Sequence, residues 1–204
     1  MAAVKPSPTG AVLALAAELK AAGRDLISLG TGEPDFDTPQ HIKDAAIAAI
    51  HNGQTKYTPI DGTAELKAAI RDKFARENQL DYETSQIVVT SGAKQALFNL
   101  CVALLNPRDE AIIPAPYWVS YPDMVRLAEA EPVFIETGIE QDFKMTPAQL
   151  ENEITDKTRL LILNSPSNPT GASYKKAELQ DLGSVLEKHP GIVVLADDIY
   201  EHIH

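Results

Sequence analysis

The chain has 204 residues, of which 44% are apolar, so it is long and apolar enough to bury a sizeable core. Its 18 basic and 29 acidic residues leave a net charge of -11. This charge argues against nucleic acid or an anionic membrane surface as a partner, because both need a clustered basic face. A local pocket can oppose the global charge, so an anionic substrate is not excluded.

A single cysteine, Cys101, excludes an internal disulfide and is predicted to be a buried thiol in a reducing compartment. No apolar stretch is long enough to span a bilayer, and the first residues lack the layout of a signal peptide. The sequence therefore predicts a cytoplasmic protein.

Short apolar strands alternate with amphipathic helices along the chain. Strands are predicted at residues 26–29, 87–90, 111–113, 133–135, 160–163 and 192–195. Helices are predicted at about residues 9–22, 39–52, 64–77, 91–105, 119–128 and 175–188. Thr38 is the expected cap of a helix that starts at Pro39, and a capping box is expected at Thr146. This alternation predicts an α/β fold in three layers, with a mostly parallel sheet and helices on both faces.

Polar clusters follow several of these strands, and in parallel sheets ligands bind where strand carboxyl ends meet helix N-termini. The turn Ser91-Gly92-Ala93-Lys94 lies between a strand and a helix, where N–H groups and the helix dipole favour an anion. On its own, this turn is better explained as an ordinary serine cap. A loop tryptophan such as Trp118 is, by itself, more often a packing residue than a cofactor contact.

The segment Asn164–Gly171 contains two prolines and a glycine, which suit a rigid turn. A turn does not explain its two asparagines, Asn164 and Asn168. Asp197 and Asp198 directly follow a buried strand, where an acidic pair is uncommon. From the residues alone, a functional role for Asp197 is as well supported as a structural one.

Five motifs occur in a specific order: residues 32–36 (Gly-Glu-Pro-Asp-Phe), 91–94 (Ser-Gly-Ala-Lys), 116–118 (Pro-Tyr-Trp), 168–171 (Asn-Pro-Thr-Gly) and 197–200 (Asp-x-x-Tyr). Together they resemble class I aminotransferases, enzymes of fold type I that use pyridoxal 5'-phosphate (PLP), and most closely the bacterial aspartate aminotransferases. The resemblance spans nearly the whole chain. It implies that residues 39–204 form an incomplete PLP-binding large domain. Residues 1–38 would be an N-terminal segment belonging to the small domain or arm.

The resemblance implies nine cofactor-binding residues: Tyr57, Ser91, Gly92, Ala93, Lys94, Trp118, Asn168, Asp197 and Tyr200. The turn at residues 91–94 would hold the phosphate, and Trp118 would stack on the pyridine ring. Asp197 would pair with the pyridinium nitrogen. Asn168 and Tyr200 would hydrogen-bond the phenolic oxygen.

The same resemblance implies contacts with the substrate and with a second subunit. The backbone of Gly32 would meet the substrate carboxylate, and Lys94 would recognise an acidic side chain, which favours dicarboxylic substrates. Trp118 and Asn168 are expected to contact the substrate as well. Tyr57 would reach the phosphate of the neighbouring subunit, so the intact protein is expected to be a homodimer.

In the family, the lysine that binds PLP covalently lies beyond the Asp-x-x-Tyr motif, and none of the 204 residues is expected to fill that role. The sequence therefore predicts the N-terminal portion of an amino-acid:2-oxo-acid aminotransferase that acts on aspartate or glutamate. This portion is expected to be inactive alone, with no catalytic residue of its own and no metal site. Two alternatives stay open: a non-enzymatic PLP-binding or interaction module, and a PLP-dependent lyase or racemase.

Overall fold

The computed structural model describes residues 8–30, 32, 34 and 36–203. The chain forms two compact units: the first is residues 12–92, and the second consists mainly of the chain from residue 93 onward. The expected domain boundary after residue 38 stays a prediction. Within the described ranges, no helix is long and apolar enough to cross a lipid bilayer.

Three helices come first along the chain: α1 (Pro8–Ala21), α2 (Gln40–His51) and α3 (Ala64–Lys73). A π-helical turn at Phe74–Asn78 continues α3, and a 3-10 turn follows at Thr84–Gln86. The three helices confirm the sequence pattern, but the predicted start of α2 is wrong. Pro39 keeps an extended backbone (φ -53°, ψ 141°), so α2 begins one residue later, and no described side chain, including that of Thr38, caps it.

Two predicted strands, at residues 26–29 and 87–90, are wrong. All strands of the described chain belong to one sheet, which includes neither segment. The side chains of Ile27 and Leu29 are largely exposed, and Val89 donates its N–H to the carbonyl of Asp61 in a loop contact (3.0 Å). A strand needs a hydrogen-bonding neighbour, and apolar character alone does not supply one.

The second unit contains a four-stranded parallel sheet in the order β2-β1-β3-β4. Its strands are β1 (Glu110–Ala115), β2 (Glu131–Glu136), β3 (Thr158–Asn164) and β4 (Val193–Asp197). Its helices are α4 (Ala93–Leu104), α5 (Tyr121–Leu127), α6 (Pro147–Glu153) and α7 (Lys176–Leu186). The four later strand predictions are therefore confirmed.

Neighbouring strand residues point to opposite faces of the sheet, and each face is covered by helices. Ile113 joins an apolar cluster with Cys101 of α4 and with α5. Ile112, one position earlier, joins a second cluster with Leu150 of α6 and Leu182 of α7. The predicted three-layer α/β/α arrangement is confirmed.

Two local predictions are also confirmed. Thr146 and Gln149 form a reciprocal capping box at the start of α6: the Thr146 hydroxyl accepts from the Gln149 N–H (3.3 Å), and the Gln149 side chain accepts from the Thr146 N–H (3.0 Å). Cys101 is 1% exposed, and burial raises the pKa of its thiol to about 11. At neutral pH this thiol is therefore protonated and buried.

The strand order changes direction at β1. The chain places β2 on one side of β1 and then β3 and β4 on the other. In open α/β sheets, ligands bind outside the strand carboxyl ends near such a reversal. Asn164 and Asp197, the last residues of β3 and β4, are paired at this end of the sheet.

Candidate functional site

The segments that follow β3 and β4 are joined by the side chain of Asn164. Its Nδ2 donates to the backbone carbonyl of Asp197 (2.8 Å), and its Oδ1 accepts from the N–H of Asn168 (2.7 Å). Both ends of one amide are therefore used. The result is that the backbones of Asn168 and Asp197 are fixed relative to each other.

Asn168 and Tyr200, which the family resemblance assigns to the same ligand oxygen, lie side by side. The Asn168 Nδ2 is 3.4 Å from the Tyr200 hydroxyl, a long hydrogen bond between residues 32 positions apart. Both groups can donate a hydrogen bond. Because the bond between them is weak, both can redirect a hydrogen toward a ligand oxygen at little cost.

Asp197 receives a hydrogen bond at each of its carboxylate oxygens. The Tyr121 hydroxyl donates to Oδ2 (2.6 Å), and the Ile199 N–H donates to Oδ1 (3.3 Å). Burial raises the pKa of the Tyr121 phenol, and its bond to Asp197 adds to the shift, so the phenol stays protonated as a donor. A carboxylate oxygen has a second lone pair, so Asp197 can also accept from a ligand N–H.

Trp118 contacts both Lys94 and Tyr121. The ammonium nitrogen of Lys94 lies 4.9 Å from the centroid of the Trp118 ring, in the range of a cation–π contact. The ring of Tyr121 meets Trp118 edge-on, with centroids 5.4 Å apart and planes at 82°. Lys94, Trp118, Tyr121 and Asp197 therefore form a continuous series of contacts.

A groove of about 400 Å³ opens beside Asp197. Its walls come from α4, with Ala93, Ala96 and Leu100, and from β4, with Leu195. This volume is within the range of small-molecule sites. Apolar walls that end at a carboxylate suit a flat ring that carries a basic nitrogen.

The predicted phosphate turn is divided between the two units: Ser91 and Gly92 end the first, and Ala93 and Lys94 begin the second. Gly92 has φ +83°, a conformation that favours glycine, and its N–H donates to the Thr90 carbonyl (2.8 Å). That N–H is therefore already engaged within the turn. An anion would depend on the first-turn N–H groups of α4.

Gly32 and Tyr57 both belong to the first unit. A Cβ placed on Gly32 would meet no described atom within 4 Å, so its backbone is open to a ligand. The side chain of Tyr57 is fully exposed. The roles of these two residues stay predictions.

The sequence assigns no role to Tyr121 or Asn164, although both contact the predicted residues. Asn164 carries a signal, because a turn does not explain a second asparagine four positions before Asn168. Tyr121 carries none, since it is 76 positions from Asp197. The described residues include no group of three or more histidine, cysteine, aspartate or glutamate side chains placed to hold a metal ion.

The fold is that of an α/β protein, with a candidate small-molecule site at the carboxyl ends of parallel strands. Comparison with known proteins identifies the family. A family profile described as aminotransferase class I and II matches residues 24–204. The chain belongs to this family, and the predicted resemblance is confirmed.

Curated relatives include the aspartate/prephenate aminotransferase of Nitrosomonas europaea, which is 62% identical over 98% of this chain and 51% of the relative. The enzyme of the same name from Cereibacter sphaeroides is 59% identical over 100% of this chain and 51% of the relative. The chain therefore spans about half the length of the curated relatives that it matches.

The chain also matches about half the length of similar proteins of known structure. The aspartate aminotransferase of Rhizobium meliloti is 52% identical, with a TM-score of 0.94 over 98% of this chain and 50% of that protein. The aspartate aminotransferase of Thermus thermophilus, solved with maleate, is 48% identical, with a TM-score of 0.92 over 96% of this chain and 51% of that protein.

Proposed function

We propose that this chain binds PLP and forms the cofactor-holding part of an aminotransferase that acts on aspartate and glutamate. The observation that supports this most is the set of contacts at the carboxyl ends of β3 and β4. There, Asp197 accepts hydrogen bonds from Tyr121 and Asn164, and Asn168 donates one to Asn164 and a longer one to Tyr200. Family membership supplies the reaction class.

The groove beside Asp197 supports this proposal in part: Ala93 and Asp197 line it, whereas Trp118, Asn168 and Tyr200 are not among its described lining residues. Its apolar walls suit the pyridine ring, and its carboxylate suits the ring nitrogen. Asp197 would hold a proton on that nitrogen, and Trp118 would pack on the ring. Asn168 and Tyr200 would donate to the phenolic oxygen, and the first turn of α4 would receive the phosphate.

PLP, when bound, supplies an electron-withdrawing ring that stabilises negative charge at the substrate α-carbon. In this proposal, residues of the chain control the protonation, the solvent exposure and the orientation of that ring. Asp197 keeps the ring nitrogen protonated, because a nearby anion favours the charged form of a base. Trp118 excludes water from one ring face. The two donors at the phenolic oxygen, Asn168 and Tyr200, hold the ring in one orientation.

Dicarboxylic substrates are proposed on three grounds. Lys94 adjoins the Trp118 ring and provides a cation beside the site. The solved Thermus thermophilus relative is described with maleate, a dicarboxylate. The curated relatives are named aspartate/prephenate aminotransferases, so prephenate is the proposed 2-oxo acid partner of aspartate.

Amino transfer is proposed for a protein of the relatives' length. Such a protein is also proposed to be a cytoplasmic homodimer in which Tyr57 reaches the PLP phosphate of the neighbouring subunit.

Equilibrium dialysis with PLP tests the cofactor proposal, and Asp197 and Asp198 offer a matched pair of substitutions. Asp197→Asn is expected to weaken PLP binding by about tenfold or more, because it removes the charge that pairs with the ring nitrogen. The neighbouring Asp198→Asn is expected to have a much smaller effect. Equal effects of the two substitutions would contradict the role proposed for Asp197.

Product analysis tests the reaction class in a protein of the relatives' length that contains this chain. With aspartate and prephenate, the expected products are oxaloacetate and the amino acid formed from prephenate. Racemised aspartate, or a product of bond cleavage without amino transfer, would instead support a racemase or lyase. The 204-residue chain alone is expected to show no amino transfer.

A further inference from the structure

Tyr121 contacts two of the predicted cofactor residues at once. It is the first residue of α5 and is 2% exposed. Its ring meets Trp118 edge-on, and its hydroxyl donates to Asp197 over 2.6 Å. One buried side chain therefore touches both the predicted ring-stacking residue and the predicted acidic residue.

We propose that Tyr121 is a positioning residue that aims the Asp197 carboxylate at the ring nitrogen of PLP and steadies Trp118 against the ring. This inference rests on the proposed function and extends it to a residue that does not itself contact the cofactor.

The hydroxyl of Tyr121 fixes the carboxylate. A carboxylate can rotate about its terminal side-chain bond, but here Tyr121 holds Oδ2 and the Ile199 N–H holds Oδ1. An O–H donor to a carboxylate oxygen at 2.6 Å is a strong, charge-assisted bond. Because Tyr121 is buried, bulk water is poorly placed to replace its hydroxyl. Asp197 is therefore oriented before a ligand arrives.

The ring of Tyr121 acts separately from its hydroxyl. The edge-on contact with Trp118 needs only the aromatic ring, so Tyr121→Phe keeps that contact and removes the bond to Asp197. Tyr117, in the segment just before α5, provides a control. Its ring stacks on Phe134, with centroids 5.0 Å apart and planes at 16°, so Tyr117→Phe likewise keeps a ring contact and removes a hydroxyl.

Equilibrium dialysis of the chain with two ligands tests the proposal: PLP, and an analogue in which carbon replaces the ring nitrogen. Tyr121→Phe is expected to weaken PLP binding by about threefold to tenfold, because Asp197 is no longer held in place. It is expected to leave binding of the analogue unchanged, since the analogue has no nitrogen for Asp197 to meet. Tyr117→Phe is expected to bind both ligands like the unsubstituted chain.

Three results would overturn the proposal. Unchanged PLP binding by Tyr121→Phe would show that the hydroxyl does not orient Asp197. An equal loss for PLP and the analogue would show that Tyr121 only supports the fold. Failure of the unsubstituted chain to bind PLP would contradict the proposed function and this inference together, whereas the first two results leave the proposed function standing.

A measurement on the unsubstituted chain keeps the proposal testable if Tyr121→Phe does not fold. Proton NMR is expected to show a hydroxyl proton of Tyr121 that exchanges slowly with solvent, because the group is buried and bonded to a carboxylate. A rapidly exchanging hydroxyl would contradict the bond on which the proposal depends.

Discussion

The two units of the chain differ in how much apolar surface they bury. In the second unit, two apolar clusters cover both faces of the sheet, and Ile112 and Ile113 are fully buried. In residues 12–92, Ile87 is the only buried apolar side chain among those described, while Ile27 and Ile60 are almost fully exposed. Paired strands, rather than apolar content, therefore position the candidate site. The contacts described between predicted cofactor residues, Lys94 with Trp118 and Asn168 with Tyr200, lie in the unit that contains the sheet.

The largest expected effect comes from making the same substitution in both units. Ile113→Ala removes a fully buried side chain and is expected to destabilise the fold by about 3 kcal/mol, through lost burial and a cavity. Ile27→Ala removes a side chain that is 87% exposed and is expected to change stability by less than about 0.5 kcal/mol. Urea unfolding of both variants measures the difference. Equal losses would contradict the contrast between the units.

Asn164 tests whether the strand ends depend on a single amide. Asn164→Ala leaves the Asp197 carbonyl and the Asn168 N–H without their side-chain partner, and is expected to cost about 1–3 kcal/mol. Asn152→Ala, at an exposed position of α6, is the control and is expected to stay within about 0.5 kcal/mol of the unsubstituted chain. Urea unfolding checks both, and a neutral Asn164→Ala would show that the amide bridge contributes little.

Two threonine substitutions test whether a side-chain cap stabilises the start of α6 in the second unit but not the start of α2 in the first. Thr146→Ala removes the capping box of α6 and is expected to cost about 1 kcal/mol. Thr38→Ala is expected to have almost no effect, because no described side chain caps α2. Thermal unfolding of the two variants gives the comparison. A larger loss for Thr38→Ala would contradict the described start of α2.

The smallest expected effect is a pH dependence of stability. Among the described residues, each unit holds an ion-paired carboxyl whose pKa is lowered. The hydrogen bond from Lys144 lowers the pKa of Glu178 in the second unit, and the hydrogen bond from Lys67 lowers the pKa of Asp61 in the first. Stability from such groups is present above their unfolded pKa and is lost as pH falls through the folded pKa. Below about pH 4.5, the free energy of unfolding is therefore expected to fall less steeply with decreasing pH in Glu178→Gln and in Asp61→Asn than in the unsubstituted chain. If the dependence of the free energy of unfolding on pH is unchanged in both variants, neither ion pair is linked to folding.

The sequence could predict the sheet because its strands are buried apolar runs that alternate with amphipathic helices, the pattern of a parallel sheet. The apolar segments at residues 111–113 and 160–163 became β1 and β3, and the Thr146 motif became a capping box. The run at residues 26–29 is also mostly apolar, yet no described strand pairs with it. The local sequence pattern predicts a preference for strand structure, but it does not predict which segment a strand will pair with.

The candidate site was predicted in its residue types but not in its connections. Asp197, Asn168 and Tyr200 follow buried strands, where parallel topology gathers polar groups. Tyr121 could not be found in this way, because a helix pattern does not reveal that a hydroxyl reaches a carboxylate 76 positions away. Asn164 was visible as an unexplained residue, but its bond to the Asp197 carbonyl depends on the register of β3 and β4.

The central claim is that the strand ends of the second unit hold PLP, and quenching of tryptophan emission tests it most directly. Trp118 is the only tryptophan of the chain, and PLP absorbs where tryptophan emits, so PLP bound on the Trp118 ring must quench it. The expected result is saturable quenching in the unsubstituted chain, with a midpoint that moves to higher PLP concentration in Asp197→Asn. PLP that binds in dialysis without quenching Trp118 would contradict the claim, because the cofactor would then lie elsewhere.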